Sequence, residues 1–125
     1  MNLNQVTVPA FDLPASIAFY TQLGLKLIVR SASYARFACP AGKSTFSVQQ
    51  LPRQTGVGAT VVYFETPDLD AVVARLQHAG LAFEHPPRDE PWLWREARLL
   101  DPAGNAICLY WAGRNRLRPP WRMGA

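Results

Sequence analysis

Apolar and polar residues alternate along eight short stretches of the chain, and two longer stretches repeat apolar residues at helical spacing. The short stretches are predicted strands, at residues 4–9, 25–29, 34–40, 44–50, 60–66, 81–85, 92–100 and 105–110. The helical patterns lie within residues 12–25 and 68–81. Each half of the chain is therefore predicted to run strand, helix and three strands, an α+β arrangement of two βαβββ modules.

The two predicted helices repeat each other at a fixed offset of 56 positions. The identical pairs are Asp12 and Asp68, Leu13 and Leu69, Ala15 and Ala71, Ala18 and Ala74, Gly24 and Gly80, and Leu25 and Leu81. An aspartate at a helix start accepts hydrogen bonds from free backbone N–H groups, and a glycine suits the left-handed residue that ends a helix. Because both caps are shared, we infer a duplication, with modules at about residues 3–52 and 57–112.

Three loop sequences separate the predicted strands. The stretch DPAGN at residues 101–105 places Asp, Pro and Gly where a hairpin turn needs them, and CPAGKS at 39–44 does so in the first half. The stretch PPRDEP at 86–91 holds three prolines and is predicted to be a polar loop. Each module is thus predicted to contain a hairpin after its helix.

The composition is that of a folded domain. The 125 residues are 49% hydrophobic and 18% charged, so one packed domain is expected at residues 1–113. No apolar run is long enough to cross a membrane, and no secretory signal is evident. Two cysteines, Cys39 and Cys108, are too few for a disulfide framework, so a reduced, cytoplasmic protein is expected.

The positive charge is concentrated in a C-terminal tail, residues 114–125. It holds Arg114, Arg116, Arg118 and Arg122, and without them nine basic residues balance nine acidic residues. A neutral body does not indicate nucleic-acid binding. The tail is expected to pack across the body or a partner subunit, with Trp121 buried and the arginines near acidic residues. A solvated tail, or one that binds an anion or an acidic partner, is the alternative.

Two motifs resemble those of the vicinal oxygen chelate superfamily, which includes glyoxalases, extradiol dioxygenases and fosfomycin- and bleomycin-resistance proteins. DLPASIAFYTQLGL at 12–25 is similar to the family pattern D-L-x-x-S-x-x-F-Y-x-x-x-L-G, and LLDPAGNAICLY at 99–110 is similar to D-P-x-G-N-x-I-E-L. The resemblance covers residues 3 to about 111. It implies that the two modules form a curved, open mixed sheet with a cleft.

In the metal-using members of that family, four inward side chains on the first and last strands of the modules hold one divalent cation. The positions of this chain that match those ligands are Gln5, Ser47, Val61 and Cys108. Valine has no donor atom, and Cys108 stands where the family pattern has Glu. Because no carboxylate or histidine remains at the four positions, the metal site is predicted to be absent, with a divergent divalent metal site as the alternative.

Cys108 has three interpretations: a metal ligand, a nucleophile or a small apolar filler. The other candidate zinc ligands show no ligand spacing: Cys39, His78 and His85. A reactive thiol needs a base or a positive field, for which Arg98 and Arg36 are the candidates. Since a buried cysteine is most often a small apolar residue, Cys108 is predicted to fill or line a pocket, and its substitution to change ligand binding little.

Strand alternation predicts which side chains line the cleft. The candidates are Gln5, Thr7, Ser47, Gln49, Tyr63, Glu65, Trp92, Trp94, Glu96, Arg98, Cys108 and Tyr110. An aromatic wall with a few polar groups suits a small organic ligand, and tryptophans are equally favoured in dimer interfaces. The candidate catalytic residues are Glu96, Tyr63 and Cys108. Glu96 and Glu65 could form an acid–base pair, but the preferred interpretation is a pocket charge that is paired with Arg98.

The predicted function is the binding of a small organic molecule by a cytoplasmic homodimer, without a metal ion or other cofactor. This is closer to the bleomycin-resistance type than to glyoxalase. The alternative is a lyase, isomerase or dioxygenase with a divergent metal site or a metal-free Glu/Tyr site. A purely structural or regulatory module is the third interpretation, and neither nucleic acid nor a membrane is an expected partner.

Overall fold

The structure is a computed structural model that describes residues 1–124. Ala125, the last residue of the predicted tail, lies outside the described residues. The chain divides into two compact units, the first made of residues 1–60 with 100–105 and the second of the remaining described residues. No helix among the described residues is long and apolar enough to span a membrane.

The elements of the two units follow the same order. The first unit contains β1 (Gln5–Ala10), α1 (Leu13–Gln22), β2 (Lys26–Arg30), β3 (Tyr34–Ala38) and β4 (Thr45–Gln50). The second contains β5 (Val61–Glu65), α2 (Leu69–His78), β6 (Arg88–Asp89), β7 (Arg95–Leu100) and β8 (Ala106–Trp111). Short 3₁₀ turns lie at Arg53–Thr55 and Gly113–Asn115.

Each unit holds one four-stranded mixed sheet, in the orders β1-β4-β3-β2 and β5-β8-β7-β6. The strand before each helix pairs in parallel with the last strand of its module, β1 with β4 and β5 with β8. The hairpin pairs β2–β3, β3–β4 and β6–β7 are antiparallel. The predicted α+β fold of two βαβββ modules is therefore confirmed.

Aromatic packing between α1 and the first sheet forms the core of the first unit. Tyr20 is fully buried, with its ring centroid 4.5 Å from that of Phe46 and 5.9 Å from that of Phe37. Its hydroxyl donates a 2.6 Å hydrogen bond to Oδ2 of Asp101. Burial, followed by the charge of Asp101, raises the pKa of Tyr20 well above its ordinary value, so the phenol stays protonated. In the second unit, α2 buries Leu69, Val73 and Leu76.

The helix ends agree with the repeat at the C-termini. Gly24 and Gly80 both have positive φ, 103° and 100°, as predicted. In each case the backbone N–H of the following leucine donates to a carbonyl oxygen of the helix, that of Leu25 to Tyr20 and that of Leu81 to Leu76. This is the closing hydrogen bond expected after a left-handed residue.

The N-terminal caps differ, and one prediction is wrong. Asp12 accepts a hydrogen bond from the backbone N–H of Ala15 at 3.2 Å, whereas the side chain of Asp68 makes no capping hydrogen bond. Asp68 has φ −103° and ψ 44°, outside the extended conformation that Asp12 adopts. That backbone conformation does not direct its carboxylate back to the first turn.

Two further predictions after α2 are wrong. Residues 81–85 form no strand, and the sheet is completed instead by β6, at Arg88–Asp89 within the stretch predicted to be a loop. The stretch LAFEH makes one backbone hydrogen bond to β7, from Glu84 N–H to the Arg98 carbonyl oxygen at 2.7 Å, and is not assigned as a strand. The predicted strand at 92–100 begins only at Arg95, because Leu93 has a positive φ of 68° and interrupts the extended backbone.

Candidate functional site

A hydrogen-bonded polar cluster of Gln5, Tyr34, Arg36 and Ser47 lies on the face of the first sheet away from α1. Ser47 is fully buried in it and lies opposite Arg36 in the β3–β4 register. Gln5 Nε2 donates to Ser47 Oγ at 2.8 Å, and Ser47 Oγ lies 2.6 Å from the hydroxyl oxygen of Tyr34. Arg36 Nε donates to that same hydroxyl oxygen at 2.9 Å.

The cluster changes the acidity of Tyr34. The hydrogen bond with Ser47, and then that from Arg36, lowers the pKa of Tyr34 below its ordinary value, although burial acts in the opposite direction. Gln5 is fully engaged, because its Nε2 also donates to Thr7 Oγ1 at 3.2 Å and its Oε1 accepts from Thr45 Oγ1. The cluster therefore presents Tyr34 and Arg36, rather than Gln5, to a ligand.

An aromatic cluster of Tyr63, Trp94 and Tyr110 lies on one face of the second sheet. The Trp94 and Tyr110 rings are stacked with centroids 4.8 Å apart, and Tyr63 meets them edge-on at 5.9 and 5.4 Å. Tyr63 is 40% exposed, while Tyr110 is buried. Trp92 is 43% exposed and donates its indole N–H to Glu96. Leu93, between the two tryptophans, adopts a left-handed backbone conformation. Non-glycine residues adopt this conformation at an energetic cost, often near functional sites.

A buried carboxylate lies beside the aromatic cluster. Glu96 is 1% exposed and accepts hydrogen bonds from Trp92 Nε1 at 2.8 Å and from Arg98 Nε and Nη2 at 3.3 and 3.2 Å. Arg98 Nη2 also donates to the Tyr63 hydroxyl at 2.9 Å. The structure thus pairs Glu96 with Arg98, which was the preferred interpretation of the sequence.

Glu65, the proposed partner of Glu96, has a different position in the network. Its Oε2 accepts from the backbone N–H groups of Ala112 and Gly113, both at 3.0 Å, and its Oε1 lies 3.8 Å from Nε of Arg116. Glu65 therefore anchors the start of the C-terminal tail. Because each carboxylate already has its own donors, the structure gives no support to an acid–base pair.

Cys108 is fully buried opposite Tyr63 in the β5–β8 register and packs with Tyr110, Val61 and Trp94. Burial, and then the negative charge of Glu96, raises the pKa of its thiol to about 12. The thiol is therefore protonated at neutral pH, which suits a small apolar filler and not a nucleophile. The small effect of a Cys108 substitution on ligand binding stays a prediction.

The residues at the family's metal-ligand positions do not fit a divalent cation. Gln5 has its amide oxygen engaged by Thr45, and Val61 has no donor atom. Ser47 already shares its hydroxyl with Gln5 and Tyr34. Within residues 1–124, no group of three or more His, Cys, Asp or Glu side chains is placed to hold a metal ion.

The predicted cleft residues fall into two sets, one in each unit. The set in the first unit is Gln5, Thr7, Ser47 and Gln49, and the set in the second is Tyr63, Glu65, Trp92, Trp94, Glu96, Arg98, Cys108 and Tyr110. The predicted cleft residues did not include Tyr34 and Arg36, which complete the polar cluster; Arg36 was named only as a candidate positive charge for Cys108. The signal was present, since these two residues alternate along β3 with the buried Ala35 and Phe37.

The comparisons with known proteins agree with the fold. The family model described as Glyoxalase/Bleomycin resistance protein/Dioxygenase superfamily matches residues 2–109. A glyoxalase/bleomycin resistance protein/dioxygenase from Nocardioides is 26% identical in sequence, with a TM-score of 0.70 over 90% of this chain and 83% of that chain. A comparison with curated proteins found no significant match.

Two more distant structures share the fold alone. A lactoylglutathione lyase from Agrobacterium tumefaciens is 20% identical, with a TM-score of 0.74 over 96% of each chain. A bleomycin-binding protein in complex with bleomycin is 18% identical, with a TM-score of 0.71 over 89% of this chain and 98% of that chain.

Proposed function

Because the chain belongs to the glyoxalase/bleomycin resistance protein/dioxygenase superfamily, we propose that it is a small-molecule-binding protein that uses no metal ion. The ligand is an organic molecule with a flat or apolar part, which stacks on Trp92 and on the aromatic cluster of the second unit. The resident polar groups orient it there. We propose no covalent chemistry at this site.

The observation that carries this proposal is the aromatic cluster beside a neutralised carboxylate. Tyr63 and Trp92 expose about two fifths of their surface, so a ligand that covers them gains apolar contact area. The ion pair of Glu96 and Arg98 gives the surface polar edges without a net charge. A few fixed polar groups in an aromatic wall are the usual composition of a small-molecule site.

The absence of metal chemistry is supported by the donor atoms themselves. A divalent cation that polarises a substrate needs several strong ligands and an open position. Val61 cannot supply a ligand, and the amide oxygen of Gln5 is engaged by Thr45. Among relatives of this fold, one is described as a bleomycin-binding protein, which is the kind of activity that needs only a binding surface.

The experiment is a tryptophan fluorescence titration of the full chain with bleomycin and with a set of flat aromatic amides. We expect saturable quenching that is unchanged after dialysis against EDTA, and affinity at least about tenfold weaker in Trp94→Leu, since stacking on an aromatic side chain is worth about 1–3 kcal/mol. Trp111→Phe is the control, because Trp111 is exposed and lies beside Asp70 and Arg95 instead.

Elemental analysis of the same preparation tests the metal-free part. About one divalent metal per chain that is lost in Gln5→Ala would refute it and favour the alternative, a metal-dependent lyase, isomerase or dioxygenase. Quenching that Trp94→Leu leaves intact would place the ligand elsewhere on the molecule. Turnover of a ligand, seen as a new product, would show that binding is only part of the function.

We further propose that the protein is a cytoplasmic homodimer. Both cysteines, Cys39 and Cys108, are free thiols, which is typical of a reducing compartment. Three large apolar side chains of the tail are exposed, Leu117, Trp121 and Met123. A second copy that covers them would remove this apolar area from water.

A further inference from the structure

The two units differ in whether their arginines have carboxylate partners. The first unit carries five basic residues and two acidic residues; these are Lys26, Arg30, Arg36, Lys43 and Arg53, and Asp12 and Asp101. Both acidic side chains have structural partners, Asp12 at the start of α1 and Asp101 with Tyr20 and Asn105. The sheet face of the first unit therefore has a cation and no carboxylate to neutralise it.

Arg36 is that cation. Its side chain is exposed, and within residues 1–124 no carboxylate forms an ion pair with it. Its Nε is nevertheless fixed by the 2.9 Å hydrogen bond to the Tyr34 hydroxyl, and its guanidinium carbon lies 5.5 Å from the centroid of the Tyr34 ring. A guanidinium held at Nε has its two Nη groups pre-oriented for a planar, two-oxygen anion.

The Tyr34 hydroxyl adds a second donor. Ser47 Oγ accepts from Gln5, so the proton of Ser47 is available to the hydroxyl oxygen of Tyr34. We assign Ser47 as the donor of this hydrogen bond, so the Tyr34 oxygen accepts from both Ser47 and Arg36 and its own proton is left for a ligand. Two hydrogen bonds accepted by a phenol oxygen make its O–H a stronger donor.

An apolar side chain completes the surroundings. Val29 on β2 lies opposite Arg36 in the β2–β3 register and is 40% exposed. The row Val29, Arg36, Ser47 thus offers an apolar contact beside a positive, donor-rich position. A molecule with an apolar body and an anionic head group matches this row.

We propose that Arg36 and Tyr34 form an oxyanion subsite that binds the carboxylate or phosphate group of a small organic ligand. The inference rests on the proposed function in one respect, that the ligand is a small molecule. The subsite lies within the first unit, whereas all four tryptophans, Trp92, Trp94, Trp111 and Trp121, belong to the second. The two ideas therefore have separate readouts.

The test is a ¹H–¹⁵N NMR titration of the full chain with benzoate and with phenyl phosphate, and with benzamide as the neutral analogue. We expect saturable shifts of the Tyr34, Arg36 and Ser47 amides with the two anions and none with benzamide. The tighter of the two anions identifies the preferred head group. Because a charge-assisted hydrogen bond is worth about twice a neutral one, Arg36→Gln should weaken binding at least about tenfold.

The control is Arg30→Gln, which removes the same charge from the same unit. Arg30 lies opposite Ala35, a buried position that alternates with Arg36, so its side chain leaves the sheet on the other face. It should change the dissociation constant by less than about twofold, since a distant exposed charge is screened. Tyr34→Phe keeps the ring, and we expect it to weaken binding by a factor between those of the two arginine variants.

Equal losses in Arg30→Gln and Arg36→Gln would show a diffuse charge effect and overturn the subsite, as would equal shifts with benzamide or no saturable shift at all. In any of these cases fluorescence quenching through Trp94 leaves the proposed function standing. Saturable anion binding at Arg36 without any ligand at Trp94 would instead keep the subsite and refute the proposed aromatic site.

Discussion

The two modules share one topology and have diverged in how they neutralise charge on their sheets. In the second unit three sheet or loop arginines have carboxylate partners, Arg88 with Glu90, Arg95 with Asp70 and Asp89, and Arg98 with Glu96. In the first, Arg36 is held by a tyrosine hydroxyl instead. The two modules thus share their strand order and their helix-ending glycines, while the side chains on their sheet faces differ.

The two sheets also differ in the character of one face, which is polar in the first unit and aromatic in the second. The first sheet presents Gln5, Tyr34, Arg36 and Ser47 joined by side-chain hydrogen bonds. The second presents three aromatic rings in mutual contact next to a buried ion pair. A polar cluster with an unneutralised cation favours an anionic head group, and an aromatic cluster favours a flat body. The comparison therefore predicts different costs for equivalent substitutions.

The largest difference is expected between Glu96→Ala and Arg36→Gln. Removing the Glu96 carboxylate leaves Trp92 Nε1 and Arg98 without their acceptor and opens a cavity, so the free energy of unfolding should fall by about 2–3 kcal/mol. Arg36 is exposed and has no ion-pair partner among the residues that the structure describes, so Arg36→Gln should change the free energy of unfolding by less than about 0.5 kcal/mol. Urea unfolding followed by circular dichroism measures both.

The double variant Glu96→Ala/Arg98→Ala sharpens this prediction. If the cost comes from an unpaired guanidinium, the second substitution should recover part of the stability. Costs that add without coupling would show that Glu96 stabilises the unit through packing alone. An Arg36→Gln variant as unstable as Glu96→Ala would mean that the first module depends on its cation in the same way.

The helix N-termini provide a smaller contrast. Asp12→Ala should lower the free energy of unfolding by about 1 kcal/mol, because a capping hydrogen bond is lost. Asp68→Ala should cost only a few tenths of a kcal/mol, about the value of a charge near a helix terminus, because its side chain caps nothing. Thermal unfolding at equal concentrations compares them, and Asp12→Asn, which retains an acceptor, should stay close to the unmodified protein. Equal losses at Asp12 and Asp68 would contradict the structural difference.

The sequence was sufficient for the fold because its strongest signals are local. The Asp12 and Gly24 caps and the apolar alternation depend on neighbours in the chain. The repeat at offset 56 compares two such local patterns. The failures depend on distant partners. LAFEH has strand alternation, and only the pairing of Arg88 with Glu96 shows that the edge strand forms later in the chain.

The same reasoning explains the partial success at the site. Alternation placed Gln5 and Ser47 together, since it fixes the face of each residue on a strand. It could not indicate that the Glu96 carboxylate is saturated by Trp92 and Arg98, because those hydrogen bonds depend on side-chain conformation. The Arg36–Tyr34 contact was missed for the same reason, and an acid–base role for Glu96 stays a hypothesis.

The tail was predicted to bury Trp121 against either the body or a partner subunit. For packing against the body, this prediction is wrong. Trp121 is 57% exposed and Leu117 is 63% exposed. The part of the prediction that concerned charge is correct for Arg116, which lies 3.8 Å from Glu65, while the neighbouring Asn115 carbonyl accepts a 3.4 Å hydrogen bond from Trp94 Nε1. The tail is thus anchored as far as residue 116, and packing of the remainder on a partner subunit stays a prediction.

Deletion of residues 117–125 is therefore expected to have the smallest effect on the second unit. The deleted segment contributes little buried surface, so the free energy of unfolding at low protein concentration should change by less than about 0.5 kcal/mol. If a second copy covers Trp121, the same deletion should weaken dimerisation by more than about tenfold, because a buried tryptophan is a common centre of interface energy. Sedimentation over a range of concentrations measures this, with Arg122→Gln as a control that keeps Trp121. Lost stability at concentrations where the chain is monomeric would show that the tail packs on its own unit after all, and an unchanged dimer affinity would leave Trp121 without a role in assembly.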